Sequence, residues 1–215
     1  RKMKIKVCGI TNIDEALALS KAGVNYMGFI FYPASKRYAL HALTLDQIKS
    51  VQLPGVLKVG VFVNEPLEKV IATATEAGLD MVQLHGDETP NYCKEMANHY
   101  PVIKAFRISE TDDVAYKIAE YLEEVDYLLF DTASSVYGGS GISFDWKKLA
   151  NATGQKPYFL SGGIGPDDVS KITSFIQSDA VGNCVAVDVN SKFETAPGQK
   201  NIQLLQSFIP TIKAL

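Results

Sequence analysis

Five reactive or charged side chains stand out because each closes, or soon follows, a short apolar run. Cys8 follows KIKV, His85 follows MVQL, Asp131 follows YLLF, Asp188 follows CVAV, and Arg37 lies a few residues beyond YMGFIF. A cysteine and an aspartate can serve as proton acceptor and donor. The thiol must then drop below its reference pKa of about 8.5, and the carboxyl must be partly desolvated so that it stays protonated. Held across one pocket, the pair would suit proton transfer between two faces of a small substrate, with neither nicotinamide nor metal. Each residue also has a plainer reading. Cys8 could be a small buried hydrophobe, as Cys93 and Cys184 are read to be. Asp131 could be a loop cap, His85 a satisfied structural histidine and Arg37 a solvated loop charge instead of a bidentate carboxylate clamp. Gly9, next to Cys8, would let a ligand approach the backbone.

A second cluster is suited to binding an anion. LSGGI at Leu160–Ile164 puts Gly162 and Gly163 at the end of another apolar run, where bare backbone amides can cradle a phosphate. Two glycines also make plain turns. The following Gly165-Pro166-Asp167-Asp168 opens a helix with two acids, which would repel an anion there. The dipolar contact is therefore expected from the segment after Asp188, where Asn190 and Ser191 could cap a short turn.

The elements that must position these groups are periodic. Apolar, β-prone runs begin at Lys4, Tyr26, Leu57, Asp80, Val102, Asp126, Pro157 and Cys184, with starts 22 to 31 residues apart. Such near-continuous apolar runs suit parallel strands buried on both faces. Most of the gaps carry helix punctuation. Asn12 caps a helix through Ala22 that Gly23 ends; Thr44 precedes LDQIKSV; Pro66 opens LEKVIATATEA before Gly78; Pro166 opens DDVSKITSFI; and Lys200 to Lys213 closes the chain. Eight strand–helix beats predict an α/β fold, a single-domain (β/α)8 TIM barrel over residues 1–215. A doubly wound sheet fits less well than closure, and the LxxLxL pattern of a leucine-rich solenoid is missing. In a barrel the active site lies at the C-terminal strand ends, where the residues named above fall.

Composition excludes several classes. The chain has 215 residues, 47% of them hydrophobic, and a formal net charge of -3; its mean hydropathy is +0.02. Acids and bases are mixed, so no nucleic-acid partner is expected. No apolar stretch approaches the roughly 18 residues of a membrane span, and Arg1-Lys2-Met3-Lys4 leads into a strand instead of a signal peptide, so no membrane partner is expected. Three scattered cysteines suit a reducing, cytoplasmic location. His41, His85 and His99 fall on separate elements, with no HxH or HExxH, and GGSG at Gly138–Gly141 sits in a long loop and not at a strand-to-helix turn. Neither metal nor cofactor is expected.

Taken together, KVCGIT, GFIFYPASKRY, VGVFVN, VQLHGDE, the FD closing the sixth strand, GGSGISFDW, LSGGI and VDVNSKFETAPGQKN resemble the N-(5'-phosphoribosyl)anthranilate isomerases of tryptophan biosynthesis, in order and from end to end. The resemblance implies an Amadori rearrangement of a phosphorylated aminoaldose to a ketose. It implies Asp131 as general acid, Cys8 as general base and Arg37 as holder of the anthranilate carboxylate. Gly162, Gly163 and the segment from Asp188 through Asn190 and Ser191 match the phosphate cradle, and His85 is assigned to substrate binding. A monomer or homodimer is expected. Three departures, Lys36 for Pro, Gly165 for Asn and Asn190 for Ser, bear on the geometry of the phosphate site and not on the reaction. Epimerase barrels use metal-binding His and Asp residues missing here, and dual-substrate isomerases carry an aspartate where Cys8 stands. A non-catalytic barrel scaffold would bind ligand without turning it over.

Overall fold

Local punctuation sets the helix ends in the computed structural model, which describes residues 2–133 and 144–215. The Asn12 side chain accepts from the Glu15 N–H, starting α1 (Ile13–Ala22), and Gly23 ends it in the left-handed region at φ 95°. Thr44 and Gln47 form a reciprocal capping box at the start of α2 (Leu45–Ser50). Helices α3 (Leu67–Glu76), α4 (Pro90–Ala97) and α5 (Val114–Ile118) follow. The segment opened by Pro166 is a 3-10 turn, Pro166–Asp168, leading into α6 (Val169–Ile176), and α7 (Ile202–Lys213) closes the chain beside α1.

The eight expected strands all form: β1 (Lys4–Cys8), β2 (Tyr26–Ile30), β3 (Leu57–Phe62), β4 (Met81–Leu84), β5 (Val102–Ile108), β6 (Tyr127–Thr132), β7 (Tyr158–Leu160) and β8 (Cys184–Val189). They pair in sequence order, all parallel, and β8 returns to β1, so the sheet is a closed barrel. A small antiparallel hairpin, β9 (Glu194–Ala196) and β10 (Gln199–Lys200), lies between β8 and α7. The stretch 134–143, which holds most of the polar loop after Asp131 and the Gly138–Gly141 motif, lies outside the described residues. Among the described residues no helix is long and apolar enough to cross a membrane.

Strand alternation divides the barrel interior into levels. Tyr26, Val59, Met81, Ile103, Leu129, Phe159 and Ala186 form an apolar floor, one side chain from each of β2 to β8. Because side chains alternate with period two, the next inward residue on a strand lies two positions on, nearer the C-terminal rim. There the chain places Gln83, Asp131, Ser161 and Asp188, facing Lys6 and Cys8 of β1. The floor is what a packed core requires, and the level above it is polar on five strands.

Candidate active site

Lys6 is the hub of that polar level. Its side chain is fully buried, and its Nζ donates to Asp188 Oδ1 at 3.2 Å and to Gln83 Oε1 at 2.8 Å. The Ser161 hydroxyl donates to the other Asp188 oxygen at 3.0 Å. Burial works against the Lys6 ammonium, but Asp188 and Cys8 outweigh it and hold the pKa above its usual value. An ammonium kept charged in this way avoids the large cost of an uncompensated buried ion.

Cys8 ends β1 two residues beyond Lys6, on the same strand face, and is 6% exposed. A Cβ on Gly28 would fall 2.6 Å from its sulfur, so the neighbouring strand must carry glycine there. Burial pushes the thiol up, and the Lys6 and Lys200 charges only partly offset this. The lowering that a base at neutral pH requires is therefore not supplied by these two charges alone. Gly9 also makes room for two side chains of the rim. At φ 80° its missing Cβ makes room for Asn190 Oδ1 and Arg37 Cδ, 2.8 and 2.9 Å from where that Cβ would be.

Asp131, on β6, is half-buried and lies in register with Arg107 of β5. Its Oδ1 accepts from the Thr132 N–H at 2.8 Å, and its Oδ2 is 3.5 Å from His85 Nε2. Burial raises its pKa, but His85, the Thr132 amide and the Arg107 charge together bring it below the usual carboxylate range. Here hydrogen-bond donors to the carboxylate outweigh desolvation, so a general-acid role requires a further influence that raises it.

His85 follows β4. Its backbone N–H donates to Phe62 O, and the buried Lys104 ammonium donates to the carbonyls of Leu84 and Gly86 on either side of it. Lys104 in turn contacts Glu88, whose carboxylate accepts from Gly86 N and Asn64 N. This buried cluster fixes the backbone that presents the imidazole.

Arg37 is positioned by the β9–β10 hairpin. Its Nε and Nη2 engage Glu194 Oε1 at 2.8 and 2.6 Å. Glu194 Oε2 accepts from Lys200 Nζ at 2.9 Å, and Lys200 also donates to Asn190 Oδ1 at 2.7 Å. Burial raises Glu194, but Arg37 and Lys200 outweigh it and keep the carboxylate charged. With Nε committed to Glu194, the far edge of the guanidinium is the one left to hold a second carboxylate.

The anion-binding group is spread along the β7 and β8 ends. Gly162 and Gly163 are both left-handed, at φ 98° and 66°. Gly162 packs against the acid strand, where a Cβ would lie 2.5 Å from Thr132 Oγ1 and 3.0 Å from Asp131 Oδ1; Gly163 is exposed. Asp168 Oδ2 takes up the Gly165 N–H at 2.7 Å, so the acidic turn caps itself. Asn190 stands at the N-cap of the 3-10 turn Ser191–Phe193 but makes no side-chain capping bond, and Ser191 is exposed. Asp188 has its oxygens engaged by Lys6 and Ser161, below the rim.

The structure thus joins Cys8 and Asp188 to Lys6, and Lys6 through Gln83 to His85 and Asp131, with Arg37 and Asn190 joined to Cys8 through Gly9 and Lys200. Lys6, Gln83, Glu194 and Lys200 were not singled out from the sequence. A lysine and a glutamine inside otherwise apolar inward-facing strand positions were the available signal for the first two. Among the described residues, no group of three or more His, Cys, Asp or Glu is placed to hold a metal ion.

Comparison with known proteins points the same way. The sequence profile of the family described as N-(5'phosphoribosyl)anthranilate (PRA) isomerase matches residues 5–211. The N-(5'-phosphoribosyl)anthranilate isomerase of Parabacteroides distasonis is 42% identical over 98% of this chain and 93% of its own. Two solved structures share the fold. A phosphoribosyl anthranilate isomerase in complex with reduced 1-(o-carboxyphenylamino)-1-deoxyribulose 5-phosphate is 33% identical, with TM-score 0.81 over 99% of this chain and 100% of that one. Mutually generated monomers of the dimeric enzyme from Thermotoga maritima are 34% identical, with TM-score 0.78 over the same shares.

Proposed function

Because the chain belongs to the N-(5'-phosphoribosyl)anthranilate isomerase family, we propose that Cys8 and Asp131 are the base and acid of its reaction, at the rim of a single barrel domain. The protein is an isomerase of tryptophan biosynthesis. It rearranges N-(5-phosphoribosyl)anthranilate, an aminoaldose, into 1-(2-carboxyphenylamino)-1-deoxyribulose 5-phosphate, a ketose.

Asp131 gives a proton to the ribose ring oxygen as the C1–O bond breaks, and the anilino nitrogen lone pair forms the protonated Schiff base. The Cys8 thiolate then removes the proton on C2. The electron pair moves into C1–C2, neutralising the nitrogen and leaving an enolamine. Protonation at C1 and loss of the enol proton give the ketone, so no atom is gained or lost. The thiol is raised and the carboxyl lowered, so the reacting form is the minor one, with the proton on the carboxyl. Bound substrate expels water from Asp131 and raises it, while the Lys6 and Lys200 charges stabilise the thiolate as it forms.

Arg37, oriented by Glu194, holds the anthranilate carboxylate by its free edge. Gly162 and Gly163, with Asn190 and Ser191, receive the phosphate, and His85 and Asp188 border the sugar. A monomer or a homodimer is the proposed state, and the similar enzyme from Thermotoga maritima is described as dimeric. The cytoplasm, where the precursors of a biosynthetic step are made, is the proposed location.

What carries the assignment is the convergence of Cys8 and Asp131 on one buried polar network, joined through Lys6, Gln83 and His85. The test follows the fluorescence of enzymatically made phosphoribosylanthranilate. Cys8→Ser is expected to cut kcat with little change in KM. Asp131→Asn is expected to fold and bind but lose about 10²–10⁴-fold in kcat. A serine variant with most of its activity would mean that another group takes the C2 proton.

A further inference from the structure

Lys6, Gln83 and His85 form a chain of donors and acceptors whose direction is dictated at one end. An ammonium can only donate, so the Gln83 atom 2.8 Å from Lys6 Nζ must be the carbonyl oxygen. The amide nitrogen of Gln83 then faces His85 Nδ1 at 2.9 Å. That NH2 has only protons to offer, so Nδ1 must accept, and a neutral imidazole has one remaining place for its own proton. That place is Nε2, 3.5 Å from Asp131 Oδ2.

We propose that Gln83, oriented by Lys6, is a positioning residue that fixes the His85 tautomer with its proton on Nε2, directed at Asp131. The role rests on the reading of Asp131 as the acid and extends it. A proton on Nδ1 would meet the amide protons of Gln83 head-on, so the chain selects the Nε2–H tautomer over the Nδ1–H one. This matters because Asp131 must accept a proton before it can deliver one. An N–H donated to the carboxylate still favours its charged form, but less than a full cation would, and it fixes the orientation of the carboxylate. The charged groups around the pair are Asp131 itself, Arg107 acting on it from β5, Lys6 behind Gln83, and the Lys104–Glu88 pair beneath the turn that carries His85. Among the described residues, Lys6 is the one that reaches the ring through a side chain whose polarity it fixes. Lys6 also lies against Cys8 and favours its thiolate, so one buried ammonium serves both halves of the proton transfer.

The test is nitrogen NMR of the full chain with 15N-labelled histidine, the His85 signals being identified by their loss in His85→Asn. The ligand-free protein at neutral pH is expected to show Nε2 protonated and Nδ1 bare. In Gln83→Glu, a carboxylate facing Nδ1 is an acceptor, so Nδ1 should gain a proton, while Lys6 keeps an ionic partner and the packing. The same variant should lose on the order of tenfold or more in kcat with KM changed little. Gln83→Glu that moves the tautomer and lowers kcat supports the proposal. A wild-type His85 protonated on Nδ1 overturns it without any variant having to fold. A shifted tautomer with undiminished kcat also overturns it. In that case Asp131→Asn, run in the same assay, reports separately whether the acid itself stands.

Discussion

The Cys8 sulfur lies within reach of three charges, Lys6, Lys200 and Asp188, in a buried site. Burial dominates and the thiol is raised, whereas Asp131 is lowered. The two shifts point in opposite directions and set the two limbs of the pH profile. The acid limb of kcat/KM should belong to Asp131 and fall below the ordinary carboxylate range. The alkaline limb should belong to Cys8 and lie above about 8.5. Iodoacetamide modification of Cys8 should accordingly be slow at neutral pH and accelerate only above that value. A thiol that alkylates quickly at pH 7 would contradict the raised pKa. Arg37 offers a separate test of binding. Arg37→Ala should raise KM by the loss of a charged hydrogen bond, about 1.5–3 kcal/mol or roughly 10- to 150-fold, with kcat nearly unchanged. An unaltered KM would return Arg37 to a purely structural partner of Glu194.

Short connections at the strand ends decide whether these side chains meet. Gly162, at φ 98°, turns the chain immediately after β7 and lies against Thr132 and Asp131 of β6. Alanine there would be strained by its φ, and its Cβ would come 2.7 Å from the Thr132 backbone nitrogen, which cannot move independently of β6. Gly162→Ala should therefore destabilise by about 1–3 kcal/mol and displace the acid, lowering kcat even where the barrel still folds. Urea unfolding together with steady-state kinetics checks both effects. A variant as stable and active as wild type would show that the β6–β7 junction is looser than its geometry indicates. By contrast, Thr44→Ala removes the α2 capping box and no side chain of the site. It should cost about 1 kcal/mol and leave kcat alone.

At the scale of the whole molecule, the β9–β10 hairpin joins the chain's late segment to the rim of the first two strands. Glu194, between Arg37 and Lys200, carries that link. Its folded pKa is depressed, so its contribution is fully present above the unfolded value of about 4.3 and is lost as pH falls through the folded value. Glu194→Gln should therefore be less stable than wild type at neutral pH, with the difference shrinking as both are acidified below about pH 4. Urea midpoints measured across that range decide it; a gap that persisted unchanged at low pH would assign the loss to packing and not to charge.

Much of this molecule was legible from one sequence because the signals are local. A strand buried on both faces reads as an apolar run, and a helix end reads as Asn12, Thr44 or Gly23, since each satisfies or releases backbone groups within a few residues. The motifs around Cys8, Asp131 and Arg37 pointed to the reaction by their kind and order. What could not be read was the company those residues keep. Lys6 meets Gln83 across 77 positions and Asp188 across 182, and Arg37 meets Glu194 across 157. Closure of the barrel creates those contacts. Closure also sets the direction of both pKa shifts, because a proton's affinity is set by the charges, donors and burial around a group, and only the tertiary structure brings these together.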